Sequence, residues 1–146
     1  MKTKGYQYVE WMSGPEMHEH TKGWVSELAF VGDEQHFLNE LIKSHTLELL
    51  EFEEFESSKE LVDNLLDLEF KLGDLVKKVE KHKNQLEIIV DDVDQIEMEK
   101  AYRKTHQNLS VVIGHYILEY RAVKAGIFRL LSSVLKKGKQ NRLLNE

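Results

Sequence analysis

Cysteine is absent from this sequence, and proline occurs once, at Pro15. The first absence excludes a disulfide framework, thiolate metal sites and thiol nucleophiles, and it suits a reducing compartment. The second leaves long stretches free of the strongest helix breaker. Membrane-spanning runs are also missing: no stretch approaches the roughly 20 apolar residues needed to cross a bilayer. Met1 to Gly5 are followed by Tyr-Gln-Tyr-Val-Glu, which forms no apolar core of a signal peptide, so a cytoplasmic protein is expected. No Gly-x-Ser-x-Gly elbow and no glycine-rich phosphate loop appears, which removes the usual settings for a serine nucleophile or a nucleotide.

What is present is charge and helical periodicity. Charged residues make up 32% of the 146 positions and hydrophobic ones 41%, the balance of a helix-rich globular chain of one domain. The net charge of −6 divides sharply along the sequence. Residues 1–99 hold 10 Lys and Arg against 24 Asp and Glu, and residues 100–146 hold 10 against 2. A basic last helix set beside acidic ones accounts for this division through favourable flanking pairs. The acidic balance of the whole chain argues against nucleic acid and against an anionic membrane surface as partners.

Three apolar seams alternate steps of four and three without slipping. The first runs from Met17 through Thr21, Trp24, Leu28, Val31, Gln35, Leu38, Ile42, His45 and Leu49 to Phe52. The second runs from Leu61 through Leu65, Leu68, Leu72, Leu75, Val79, His82 and Leu86 to Ile89. The third runs from Tyr102 through His106, Leu109, Ile113, Tyr116, Tyr120, Val123, Ile127 and Leu130 to Val134. Heptad seams of this length, joined by short connections, give an all-α fold: an antiparallel three-helix coiled-coil bundle.

The expected boundaries are a short irregular aromatic segment at 1–14, a bundle at 15–137 with helices at 15–55, 58–90 and 94–137, and a tail at 138–146. Ser13 with Glu16, Ser57 with Glu60, and Asp94 with Glu97 have capping-box or N-cap spacing. Lys136, Lys137 and Gly138 supply a cationic last turn and a glycine stop.

Each seam places a histidine at a core position: His45, His82 and His106. With tight turns, His82 and His106 come level, and Glu34 or Gln35 from the first helix could join them. A second level gathers His45, Glu69, His115 and Glu119. Converging neutral imidazoles with carboxylates are what a metal centre requires, so a metal-binding bundle in the ferritin-like or haemerythrin-like style is the alternative reading. Against it, Glu-x-x-His is missing and His115 lies off the seam. The competing view of His82 and His106 is a polar layer that fixes helix register. His18 and His20 fall on the solvent side of the extrapolated first turn.

The segment Trp24-Val-Ser-Glu-Leu-Ala-Phe30, followed by Glu34-Gln-His-Phe-Leu38 and Leu41-Ile42, resembles the opening Trp-x-x-Glu-Leu-x-Phe motif of an uncharacterised family of small bacterial three-helix proteins. Tyr102 to Val134, with His106-Gln-Asn-Leu109 and Lys124-Ala-Gly-Ile-Phe128, resembles that family's third helix. Thr105 and Gly126 stand where that family usually has Glu. The resemblance implies a three-helix protein and no catalytic residues.

The apolar surface is wider than an a/d stripe: Phe30, Phe37 and Leu41, then Val62, Leu66 and Val76, then Val112, Ile117, Leu131 and Leu135 lie beside or beyond the seams. A non-enzymatic scaffold or interaction module is therefore the expectation, without a cofactor, pairing with itself as a homodimer or with another amphipathic helix.

Overall fold

The structure is a computed structural model that describes residues 12–51, 55–91 and 96–144. Four α-helices account for nearly all of them: α1 (Gly14–Ser44), α2 (Thr46–Glu51), α3 (Phe55–Asp91) and α4 (Ile96–Leu144). Among the described residues only Met12, Ser13 and His45 lie outside a helix. The all-α expectation is met. Trp11 and everything before it, the connections at 52–54 and 92–95, and with them the cap reading of Asp94, lie outside the described residues.

α1 begins as its sequence dictates. The Ser13 hydroxyl accepts from the Glu16 backbone N–H at 3.3 Å, and the Glu16 carboxylate accepts from the Ser13 N–H at 3.3 Å and its hydroxyl at 3.0 Å. This reciprocal capping box satisfies donors that the first helical turn leaves without partners. The next orphan donor, the Gly14 N–H, is taken by the Glu99 carboxylate of α4 at 2.9 Å. Arg103 of α4 in turn reaches Glu99 and donates from Nε to the Met12 carbonyl at 3.1 Å.

The first helix was expected to continue to about residue 55, but it breaks at His45. Side chains there compete for the backbone carbonyls that an unbroken helix would use. Ser44 donates to the Glu40 carbonyl, His45 Nδ1 to the Leu41 carbonyl, and Thr46 to those of Ile42 and Lys43. The His45 N–H itself turns back to Ile42 at 3.2 Å, a tighter three-residue turn. At the next boundary α3 starts at Phe55, ahead of Ser57, so the expected N-cap residue lies within the helix. α4 likewise passes Lys137 and Gly138 and runs to Leu144. Gly138 has no left-handed φ to end the helix, and Lys139 and Arg142 suit its negative C-terminal end.

The long helices contribute to two compact units, one comprising residues 1–31 and 71–117, the other 32–70 and 118–146. In the first, Met17, Trp24, Leu28 and Val31 of α1, Leu72, Leu75, Val79 and Leu86 of α3, and Leu109, Ile113 and Tyr116 of α4 are buried. In the second, Gln35, Leu38 and Leu49 are buried, as are Leu65 and Leu68 of α3 and Tyr120, Val123, Ile127, Leu130 and Val134 of α4. Most of the buried residues are seam residues; Ile117 and Leu131 of α4 are buried beside the seam. Tyr120 is held by chemistry as well as packing. Its hydroxyl donates to Glu34 at 2.6 Å, and Lys124 donates to the same oxygen at 3.0 Å. The Tyr120 hydroxyl first, and Lys124 after it, hold the Glu34 carboxyl below its ordinary range against the opposing effect of burial.

Candidate functional site

The densest polar constellation lies in the first unit, where α1, α3 and α4 each contribute one imidazole. His106 of α4 occupies the middle. Its Nε2 is 2.8 Å from Nδ1 of His20 on α1, and its Nδ1 is 2.9 Å from Nε2 of His82 on α3. The three rings are thus linked in series through opposite edges of the central one. His82 and His106 are essentially inaccessible, at 1% and 0% exposure, and His20 is half-buried.

Aromatic neighbours close the cluster. The buried Trp24 indole stacks on His106, with ring centroids 4.3 Å apart and planes 22° from parallel. It also lies near His20 at 4.7 Å and is nearly parallel to His82 at 6.5 Å. Tyr102 meets His82 edge-on at 6.4 Å. The register explains this assembly. Thr21 and Trp24 are seam residues, and His20 stands one position before Thr21 and one helical turn before Trp24, on the rim of the buried stripe.

The hydrogen bonds constrain the proton arrangement. Thr21 donates its hydroxyl proton to the Met17 carbonyl at 2.7 Å, so toward His106 Nδ1, 3.5 Å away, its oxygen can only accept. A neutral imidazole donates through one nitrogen and accepts through the other, so both ring-to-ring bonds run in one sense along the series, from His82 to His20 or the reverse. His82 Nδ1, at the buried end of the series, has no hydrogen-bond partner. One orphaned polar atom of this kind costs about 1–3 kcal/mol.

Burial keeps the chain neutral. It pushes His82 down to about 4 and His106 to about 3, the latter opposed further by charge on His20 and His82 at either side, and it also lowers His20. Neutral rings whose nitrogens face one another act as a hydrogen-bonded layer rather than as free general bases. Among the described residues, no group of three or more His, Cys, Asp or Glu side chains is placed to hold a metal ion. The reason at this cluster is geometric: nitrogens in series around one ring do not converge on one point.

Of the residues singled out by the sequence, His82 and His106 are brought into direct contact. Glu34 belongs to the other unit, where Tyr120 and Lys124 engage it. The second expected group has separate surroundings. His45, between α1 and α2, bonds back to the Leu41 carbonyl, Glu69 accepts from Asn39, and His115 and Glu119 are exposed. His20 corrects the expectation that it faces solvent. The signal was its one-turn spacing from Trp24, which an a/d seam omits because it ignores the flanking positions. No family model, curated protein or solved structure matches this chain.

Proposed function

We propose that this chain is a non-enzymatic helical interaction module of the cytoplasm, built as an antiparallel three-helix bundle with coiled-coil seams, whose outward apolar faces serve association. One observation carries the reading: most of the described seam residues are buried, yet large apolar residues remain in solvent at outward positions. Phe30, Phe37, Leu66, Val112 and Leu135 stay exposed, as do Phe70, Leu118 and Phe128. Surfaces of this kind on a helical protein are commonly covered by another chain. The cytoplasmic part is supported by the absence of cysteine and by the described residues, among which no helix is long and apolar enough to cross a membrane.

Within this reading the imidazole chain is a register device. It joins α1, α3 and α4 at one level, and a helix displaced along its axis breaks both ring-to-ring bonds. The Trp24 and Tyr102 segments support kinship with the bacterial three-helix family they resemble. Light scattering on the purified chain, with a pull-down against amphipathic helical peptides, tests the function. Concentration-dependent mass or saturable peptide capture is expected. A strictly monomeric particle without affinity for such helices would contradict it.

A further inference from the structure

The outer side of α4 carries a second heptad seam within one compact unit. Leu118, Arg121, Ala125, Phe128, Ser132 and Leu135 follow steps of three and four, and all six are exposed. Leu118 is 50% exposed, Phe128 43% and Leu135 47%. Between the large apolar residues stand Arg121 and the small Ala125 and Ser132, the last two leaving room for the side chains of a neighbour. The surroundings are basic: residues 118–144 contain seven Lys or Arg against one acidic residue, Glu119.

The same unit holds a counterpart on α3. Phe70 is 83% exposed and Leu66 52%, one helical turn apart on the side away from the buried Leu65 and Leu68. The exposed residues before and around them include Glu60, Asp63 and Asp67. An open depression lined by Glu56, Lys59, Glu60, Asp63 and Asn64 continues this acidic face toward the start of the helix. One chain therefore presents an apolar stripe with a basic border and an apolar pair with an acidic border.

We infer that the outer seam of α4 docks on the outer face of α3 in a second copy of this chain. The inference rests on the interaction-module reading and names its surface and partner. Charge decides between the ways two copies can meet. Pairing the α4 seam with itself sets Arg121 and Arg129 against like charge, whereas pairing it with α3 sets them against Asp63 and Asp67. A two-fold arrangement makes the α3-to-α4 contact twice and closes as a dimer.

Variants and mixing test this. Phe70→Glu and Phe128→Glu, each prepared in the full chain, are expected to weaken dimerisation at least about tenfold by light scattering, one such factor being 1.4 kcal/mol. Both positions point outward, so helicity by circular dichroism is expected to be unchanged. Mixing the two variants is expected to recover part of the association, because a mixed pair keeps one of its two contacts intact, between an unaltered α4 and an unaltered α3, and places both substitutions in the other. Association should also weaken as salt rises and screens the charged borders. A wild-type mass of one chain at every concentration overturns the inference, as do mixed variants that stay monomeric, and so does a dimer that both substitutions leave intact. In that last case the interaction-module reading stands and only the surface is wrong. Sedimentation of the wild-type chain with phosphatidylserine vesicles, lost in Phe128→Glu while no dimer forms, would assign the basic seam to a membrane and overturn the proposal.

Discussion

His82 shows how much depends on the environment of a single ring. Its heptad position is legible in the sequence, and so is its approach to His106. The third ring is not, because His20 enters from a flanking position that only the packed structure defines. Burial lowers the proton affinity of His82 and His106 in the folded chain, to about 4 and about 3. The unfolded chain therefore binds protons first as the medium is acidified. The neutral-ring stability is fully present above about 6.5, and it is lost as pH falls from there toward the folded values, by about 1.4 kcal/mol per pH unit for each histidine. Urea unfolding at pH 7 and pH 5 should record this slope. His82→Gln, which keeps polar capacity without titrating, should reduce it by one histidine's share, and an unchanged slope would mean that His82 is already charged in the fold.

Tyr120 and Lys124 offer a second contrast at this scale. Both donate to Glu34, but Tyr120 is buried at 2% exposure while the Lys124 and Glu34 side chains are 30% and 27% exposed. Tyr120→Phe removes a charge-assisted hydrogen bond from a buried hydroxyl and should cost about 1–2 kcal/mol. Lys124→Ala removes a solvent-screened ion pair and should cost at most about 1 kcal/mol. Denaturant titration of the two variants measures the order, and a larger loss for Lys124→Ala would contradict it.

Among the elements, caps and glycines separate what is local from what is tertiary. The Ser13 cap was readable because a capping box is a four-residue property. The break at His45 was not: it results from three consecutive polar side chains turning on their own backbone, in a stretch whose apolar register continues. The extension of α4 beyond Gly138 was not readable either, since a glycine stop depends on a left-handed φ, which Gly138 does not adopt. Ser13→Ala should destabilise the fold by about 1 kcal/mol. Gly23 and Gly114 lie in helices, and a Cβ added at either has nothing within 4 Å. Alanine at each should therefore stabilise by up to about 1 kcal/mol and raise the melting temperature by about 2–4 °C. At Gly126 a Cβ would lie 2.8 Å from Leu61 Cδ2. Alanine there must displace that side chain, so it should gain less than at the two open positions. Equal gains at all three sites in thermal melts would show that Leu61 does not pack on Gly126.

For the molecule as a whole, the seams and the all-helical character were legible because heptad spacing dictates which face is buried. Which of the additional apolar residues would be covered was not legible. Ile117 and Leu131 are buried while Val112 and Leu135 are exposed, although all four widen the apolar stripe of α4 beyond its seam. Burial at a flanking position depends on what packs against it, and one helix's periodicity does not contain that information. The functional reading rests on the residues left outside. If they serve association, the folded chain is stabilised by its own concentration, since a partner that binds only the folded state raises the melting temperature by mass action. Thermal unfolding across a range of protein concentrations is the most direct measurement. The melting temperature should rise with concentration, and Phe128→Glu should abolish the rise while leaving the dilute-limit value in place. A melting temperature independent of concentration would contradict an association role for these faces.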